Sequence, residues 1–232
     1  MEKSAENYLL MQKNHYDNLA GQWSIQDKNP VVGSYFEHND FEDYDKYLFP
    51  KIETENMITL EYGCGPGRNL IRFNKKFKRI DGVDIGEINI KNAEINIKDA
   101  NLEIPNLYIN SGDNIPTESE VYDLVFSVIC LQHICVYQIR YNIMKEIYRV
   151  LKKDGHFCFQ MGYGPPKGNS VDYYENNYGA ASTNGDNDVN LSNHEYLEKD
   201  LKEIGFKSFK HVIGRTGPGD GHGNWIWVQS QK

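Results

Sequence analysis

A short glycine-rich segment at residues 61–67, with the sequence EYGCGPG, has the residue types needed to bind a nucleotide-like ligand. Glycines allow the backbone to approach a ligand closely, and a helix starting directly after them offers free N–H groups. The glycine spacing is GxGxG, because Arg68 stands where the GxGxxG fingerprint of dinucleotide-binding proteins needs its third small residue. The segment therefore favours a nucleotide site that differs from that of a dehydrogenase.

Three acidic residues are expected at the ends of neighbouring strands. Glu61 lies two positions before the first glycine of the segment, and Asp84 lies 17 positions after Gly67 (84 − 67 = 17). Asp113 follows the next predicted strand. The carboxyl ends of strands form the ligand-binding edge of a parallel α/β sheet. At that edge Asp84 could accept hydrogen bonds from vicinal ribose hydroxyls, and Asp113 could accept one from an adenine amino group.

The elements that must position these residues alternate between strands and helices. A nearly continuous apolar run at 122–129 is typical of a central parallel strand that is buried on both faces. The patterns predict strands at 57–62, 79–85, 106–110, 122–129, 156–161, 207–213 and 224–229, and helices at 8–23, 43–52, 68–77, 87–100, 136–151 and 192–204. Ser192 and Glu195 have the spacing of a capping box. The alternation predicts an α/β fold with a doubly wound, mostly parallel sheet.

Five segments in this order resemble the class I S-adenosylmethionine-dependent methyltransferases, especially the small-molecule branch with a domain of the 11/25 type. They are LEYGCGPGRNL, IDGVDI, NSGDNIP, YDLVFSVICLQHI and EIYRVLKKDGHF. The resemblance covers about residues 57–160. It implies a Rossmann-like seven-stranded sheet with helices on both faces. With the strands numbered along the chain, their order across the sheet is 3-2-1-4-5-7-6, and strand 7 is antiparallel. It also implies methyltransferase activity, with S-adenosylmethionine as cofactor and S-adenosylhomocysteine as product.

The same resemblance implies a set of cofactor-binding residues. The glycines would pass under the methionine part, Glu61 would organise its amino end, and Asp84 would hold the ribose. Asp113 and Asn114 are expected at the adenine, and Tyr16 at the methionine carboxylate. The full expected set is Tyr16, Glu61, Gly63, Gly65, Gly67, Asp84, Ile85, Asp113, Asn114 and Val128.

Two histidines are candidates for a general base, which a hydroxyl acceptor usually needs and a neutral amine does not. His133 follows the strand at 122–129, at a position where relatives often carry His or Gln facing the methyl group. His222 lies in a glycine-rich turn between the last two strands. Each has a structural alternative: His133 could pack at a helix start, and His222 could be an exposed hairpin residue.

Residues 162–190, called the insertion below, break the alternation and are rich in Gly, Asn, Ser and Tyr. A connection of this length inside a compact domain is usually functional or disordered. We therefore predict that the insertion is a substrate lid. The residues expected to contact substrate are Tyr163, Tyr173, Tyr174, Tyr178 and Arg215.

Charge and missing motifs narrow the class of acceptor. The 232 residues include 25 basic and 33 acidic side chains, a net charge of −8, whereas nucleic-acid binding needs a cationic surface. Residues 128–131 lack the acidic cluster with which catechol-type methyltransferases hold Mg²⁺, so no metal is expected. The Asn/Asp-Pro-Pro-aromatic motif of DNA amino-methyltransferases is absent at the same place. A small polar acceptor is favoured.

The sequence thus predicts one methyltransferase domain over 1–232. Its expected parts are an N-terminal helical cap (1–55), a cofactor-binding core (57–161), the insertion, and a C-terminal helix and hairpin (191–232). The polar N-terminus and the lack of a long apolar run favour a cytoplasmic monomer or homodimer with no membrane or nucleic-acid partner. The expected reaction methylates O or N of a small polar metabolite, such as a sugar, nucleotide-linked or surface-glycan precursor. A non-catalytic cofactor-binding module or partner subunit, and a protein or tRNA methyltransferase, remain alternatives.

Overall fold

A computed structural model describes residues 4–22, 45–179, 188–214 and 222–232. Over these ranges strands and helices alternate as the sequence predicts. The strands are β1 (Ile58–Tyr62), β2 (Arg79–Asp84), β3 (Leu107–Ile109), β4 (Tyr122–Ser127), β5 (Leu151–Tyr163), β6 (Val171–Asp172), β7 (Val189–Leu191), β8 (Ser208–Gly214) and β9 (Asn224–Gln231). The helices are α1 (Ala5–Gln22), α2 (Asp45–Leu48), α3 (Arg68–Arg72), α4 (Glu87–Asp99), α5 (Tyr137–Val150) and α6 (His194–Ile204).

The sheet has the expected doubly wound order at its centre. β3, β2, β1, β4 and β5 lie side by side and are parallel, and β9 pairs with β5 in the antiparallel direction. β8 pairs with the far edge of β9, so these two strands form the predicted closing hairpin. The prediction of seven strands is corrected in one respect, because the described residues contain nine. The additional β6 and β7 are short and parallel, and β7 pairs with the last two residues of β5.

Alternating side chains on β9 show how the sheet is covered on both faces. Trp225 and Trp227 pack into an apolar cluster that also contains α2, α3 and α4 residues, whereas Ile226 and Val228 join the cluster formed with α5 and α6. Successive strand residues point to opposite faces, so one strand can supply both layers. The core therefore has two apolar layers, one on each face of the sheet.

The helix α5 carries an apolar stripe at Ile139, Ile143 and Ile147, all buried against the sheet. It starts one residue later than predicted, and its first free N–H, on Tyr137, donates to Oδ1 of Asn176 at 2.8 Å. A side-chain acceptor at this position satisfies a helix N-terminus. Since Asn176 belongs to the insertion, the insertion is attached directly to the start of α5.

Of the residues predicted to form the N-terminal cap, the structure describes 4–22 and 45–55. The helix α1 packs on α4, where Oδ1 of Asp17 accepts from the N–H of Ile88 at 3.0 Å in the first turn of α4. The helix predicted over 43–52 is shorter in the structure, where it is the single turn α2. Residues 23–44 lie outside the described part of the chain. In the described helices there is no stretch long and apolar enough to cross a membrane.

The insertion contains more regular structure than the prediction of a lid implied, since it holds both β6 and β7. Its residues 180–187 lie outside the described ranges. At its C-terminal end the predicted capping box at Ser192 is wrong. Asn193 caps α6 by accepting from the N–H of Glu195 at 3.0 Å, while the hydroxyl of Ser192 donates to Asp172 of β6.

Candidate cofactor and catalytic site

A cavity of about 930 Å³, measured with its open mouth, lies where β1, β2 and β4 end, and α1 forms one of its walls. This is the edge at which parallel α/β sheets bind ligands. Seven of the ten expected cofactor-binding residues line it, together with one of the two histidines. They are Tyr16, Glu61, Gly63, Gly65, Asp84, Ile85 and Val128, with His133.

The glycine turn after β1 is held by β2. The N–H groups of Gly63 and Cys64 both donate to the carbonyl of Val83, at 2.8 and 3.1 Å. Gly63 has a φ of +77°, and a Cβ at this position would lie 2.3 Å from Sγ of Cys130. Only glycine fits both the left-handed backbone and the close approach to the loop after β4. The turn therefore keeps its backbone on the cavity surface.

Gly67, by contrast, does not line the cavity. It is the residue before α3, has a φ of +87°, and a Cβ there would lie 3.2 Å from Cβ of Ala93. This glycine lets α3 pack closely on α4. The expected contact with the methionine part is thus not supported for Gly67.

Asp84 ties the glycine turn to the start of α4. Its Oδ2 accepts from the N–H of Gly65 at 2.9 Å, and its Oδ1 accepts from the N–H of Gly86 at 2.7 Å and from Nδ2 of Asn89 at 3.2 Å. Burial raises the pKa of Asp84, while the two backbone donors oppose the rise. A carboxylate has about four acceptor positions, so Oδ2 could still accept a hydroxyl from the cavity.

Glu61 is almost completely buried at the end of β1. Its Oε1 accepts from Nδ2 of Asn69 at 2.6 Å, while its Oε2 has no hydrogen-bond partner among the described residues. Burial raises the pKa of Glu61 to about 8, an effect opposed by the Asn69 hydrogen bond and by the charge of Arg68. An unpartnered buried carboxyl oxygen is costly unless a donor reaches it. The cavity therefore offers a site for a cationic donor.

The raised pKa of Glu61 predicts a pH dependence of stability. The folded state favours the protonated carboxyl, so this contribution is complete below about pH 4.5 and is lost as the pH rises toward 8. In the ligand-free wild type, Glu61 should lower the unfolding free energy by about 1 kcal/mol for each pH unit in this interval. The substitution Glu61→Gln should abolish this pH dependence. Urea unfolding at pH 5, 6.5 and 8 measures the slope. Equal slopes in the variant and the wild type would contradict the assignment.

The expected adenine-binding acids lie outside the cavity lining. Oδ2 of Asp113 accepts from Nδ2 of Asn142 on α5 at 3.1 Å, and Oδ1 of Asn114 accepts from Ser111. The cavity is instead lined at this end by Asn110 and Gly112. Both acceptor side chains are used within the fold, so the expected contacts with adenine are not supported for Asp113 and Asn114.

His133 lies in a single 3₁₀ turn after β4, Leu131–His133, and lines the cavity. Its Nδ1 is 2.7 Å from Oδ1 of Asp188, a buried residue directly before β7. The backbone carbonyl of His133 accepts from Nε2 of Gln12 at 2.9 Å. The hydroxyl of Tyr8 also contacts this segment, accepting from the N–H of Cys135 at 2.7 Å. The helix α1 thus fixes the backbone of the histidine, and the insertion fixes its ring.

His222, the second candidate base, is buried and not an exposed hairpin residue. Its Nε2 lies 3.5 Å from Oδ2 of Asp188, so the carboxylate stands between two imidazoles. His222 does not line the cavity. It packs over Gly162 of β5, where a Cβ would lie 1.9 Å from its Cδ2. Of these two histidines, His133 lines the cavity and His222 does not.

This packing predicts the effect of a side chain at 162. Gly162→Ala should displace His222 and lower the unfolding free energy by about 1–3 kcal/mol, the usual cost of overpacking a buried position. Adding His222→Ala should recover part of this loss, because it removes the clashing ring. Chemical unfolding of the single and double variants measures both effects. A Gly162→Ala protein as stable as the wild type would contradict the packing.

The tyrosines of the insertion correct the prediction that they contact substrate. Tyr173 is fully buried and donates to Oδ2 of Asp200 on α6 at 2.9 Å, and Tyr174 donates to Oδ1 of the same residue at 3.2 Å. Their hydroxyls thus attach the insertion to α6. Tyr178 packs edge-on against Tyr8, with ring centroids 6.3 Å apart, one layer from the cavity.

The other two residues expected to contact substrate are Tyr163 and Arg215. Tyr163 is half-buried at the end of β5 and does not line the cavity. Arg215 lies outside the described residues. Within those residues no group of His, Cys, Asp and Glu side chains is arranged to hold a metal ion.

Sequence reasoning missed several residues of the site. Asp188 stands in a stretch with no periodic pattern, so only the fold brings it to His133. Asn69, one residue after Arg68 in α3, could have been found as a helix residue facing the end of β1. Tyr8 and Gln12 lie four residues apart on one face of α1, which is a detectable helical spacing.

An open α/β sheet with a GxGxG turn after its first strand, and acids ending its first two strands, defines the fold of the class I S-adenosylmethionine-dependent methyltransferases. The cavity fits that cofactor: Oε2 of Glu61 could accept from an ammonium, Asp84 from a ribose hydroxyl, and Ile85 and Val128 offer apolar surface. Residues 60–159 match the model of the family described as Methyltransferase domain. The matched segment, which spans less than half of the chain, therefore resembles that family, and S-adenosylmethionine is taken up below as the proposed cofactor. No curated protein sequence matches the chain.

Solved structures support the same fold over most of the chain. A SAM-dependent methyltransferase from Methanosarcina mazei is 17% identical, with 77% of this chain and 93% of that chain covered at a TM-score of 0.59. The [4+2]-cyclase SpnF is 14% identical over 97% and 94% of the two chains, at 0.64. A chain from the complex with the Trm112 methyltransferase activator of Haloferax volcanii is 14% identical over 95% and 96%, at 0.62. These identities show a shared fold. The expected fold class is thus confirmed.

Proposed function

We propose that the protein transfers a methyl group from S-adenosylmethionine to an oxygen or nitrogen of a small polar metabolite. The observation that carries this proposal is that one cavity contains both the unpartnered oxygen of Glu61 and the ring of His133 held by Asp188. The first suits a cationic cofactor, and the second suits removal of a proton from an acceptor.

Each end of the cavity has a distinct role in this proposal. Glu61 would hold the amino group of the cofactor and Asp84 its ribose, while Asn110 and Gly112 would border the base. When bound, the cofactor supplies an electrophilic methyl group on a sulfonium centre. His133 would accept the acceptor's proton at the cavity wall, and the backbone contacts from α1 would keep it in place.

A small polar acceptor is supported by the charge of the chain. The net charge of −8 does not favour a polyanionic acceptor. The acceptors proposed on this ground are hydroxylated molecules such as a sugar, a nucleotide-linked intermediate or a surface-glycan precursor.

Calorimetric titration with S-adenosylmethionine and S-adenosylhomocysteine tests the cofactor assignment, and a panel of sugars, nucleotide sugars and amines tests turnover. We expect binding of both cofactor forms and methylation of at least one panel member. Absence of cofactor binding would overturn the proposal. Tight binding without turnover would favour the non-catalytic module, and salt-sensitive binding to RNA would favour a tRNA methyltransferase.

A further inference from the structure

Asp188 has no role in the cofactor cavity itself, yet it is one of the most buried carboxyl groups in the described chain. Its Oδ1 lies 2.7 Å from Nδ1 of His133, and its Oδ2 lies 3.5 Å from Nε2 of His222. A buried carboxylate is costly unless donors satisfy it. Nδ1 of His133 lies within hydrogen-bond distance of this carboxylate, whereas the 3.5 Å contact with His222 is an ion-pair distance only.

The contact with Asp188 decides which ring nitrogen of His133 carries the proton. An ionised carboxylate can only accept a hydrogen bond, so Nδ1 must donate. A neutral imidazole with its proton on Nδ1 has a lone pair on Nε2. Since His133 lines the cavity, this tautomer is the one able to accept a proton there.

The position of Asp188 relative to His133 is fixed by further contacts between the insertion and the loop after β4. The guanidinium of Arg140 donates to the carbonyls of Ile134 and Tyr173, and so bridges the two segments. The N–H of Asn177 donates to the carbonyl of Cys135 at 2.8 Å. These bonds lie within two residues of His133 on the loop side. The insertion therefore stabilises the loop that carries His133.

We propose that Asp188 is the positioning residue for His133 and that the acceptor atom is a hydroxyl oxygen, an inference that rests on the proposed methyltransferase function. An amine can attack in its neutral form without prior proton removal, whereas a hydroxyl benefits from a base that removes its proton as the new bond forms. A histidine with a fixed tautomer and a buried carboxylate partner is suited to the second case.

The reaction step balances with the groups named. The acceptor oxygen uses a lone pair to form the O–CH₃ bond as the S–CH₃ bond breaks and its electron pair stays on sulfur. The hydroxyl proton passes to Nε2 of His133, giving an imidazolium beside the Asp188 carboxylate. The imidazolium then returns the proton to water.

The tautomer can be measured without cofactor or acceptor. In full-length protein with ¹⁵N-labelled histidine, the His133 signals, assigned by their loss in His133→Asn, should show the proton on Nδ1. Asp188→Asn should lower that preference, because an amide can donate as well as accept. Asp200→Asn, which removes a buried carboxylate that anchors the insertion through Tyr173, is the matched control and should leave the His133 tautomer unchanged.

Kinetics on the matched probes glucose and glucosamine give the second readout. For a hydroxyl probe, Asp188→Asn should lower kcat by about 100-fold with KM changed less than about threefold. A wild-type His133 with its proton on Nε2, or turnover of the amino group of glucosamine in preference to hydroxyls, would overturn the inference while cofactor binding still supported methyl transfer. If neither probe is methylated, the tautomer measurement alone decides.

Discussion

Replacing His133 with asparagine should lower kcat by about 10²- to 10⁴-fold, the usual contribution of a positioned acid–base group. The imidazole lines the cavity, and its Nδ1 lies 2.7 Å from the buried carboxylate of Asp188. Asparagine retains polarity but cannot accept a proton from the acceptor. Turnover at saturating cofactor measures the loss. The affinity for S-adenosylhomocysteine should change by less than about threefold.

The control for this prediction is His194→Asn. His194 starts α6 and packs against His211 in a tilted arrangement, with ring centroids 4.4 Å apart, and it does not line the cavity. Its replacement should leave kcat close to that of the wild type. If His133→Asn kept more than about half of the wild-type kcat, a base role for His133 would be excluded, and a structural role at the turn would remain.

Replacing Asp84 with asparagine should weaken cofactor binding by at least about 100-fold. The substitution removes the charge that would accept ribose hydroxyls, and charged hydrogen bonds contribute about 1.5–3 kcal/mol each. It also places an amide N–H₂ group next to the N–H of Gly65 or Gly86, so one end of the glycine turn loses its acceptor. Calorimetric titration with S-adenosylhomocysteine measures the change in Kd.

A matched substitution on the same strand separates binding from stability. Asp81 is a buried carboxylate three residues earlier on β2, where it contacts Arg79, Asn106 and Tyr122 and does not line the cavity. Asp81→Asn should lower the unfolding free energy yet leave Kd within about threefold. Equal loss of affinity in both variants would mean that Asp84 acts only through the fold.

The central part of the fold was predictable because its signals are local. The apolar run of β4 and the glycines after β1 each fix one element without reference to distant residues. Once these strands are parallel, Glu61 and Asp84 must lie at one edge. The seven core strands follow from such signals. The short strands β6 and β7 do not, since two or three residues carry no periodicity.

The insertion shows where composition misleads. Four tyrosines suggested contact with substrate, yet Tyr173 and Tyr174 direct their hydroxyls to Asp200. Whether a tyrosine faces a ligand or a helix depends on a partner 26 or 27 residues away, and no local pattern records that partner. For the same reason Asp188 could not be assigned to His133, which precedes it by 55 residues.

The adenine end gives a third case. The motif at 111–114 has the aspartate and asparagine that the family resemblance implies, but Asp113 is engaged by Asn142. The cavity is lined three residues before Asp113, at Asn110, whose Oδ1 accepts from the N–H of Gly112. A family motif therefore located the correct strand end, while the residue at the ligand depended on side-chain partners from α5.

The position of β9 has a consequence for synthesis of the chain on the ribosome. This strand is translated after the other described strands, yet it lies between β5 and β8 and pairs with both. Until residues 224–231 have emerged from the exit tunnel, residues 156–161 of β5 lack their antiparallel partner, and such edges invite aggregation. A nascent chain halted before residue 224 should therefore aggregate more readily than one that includes β9.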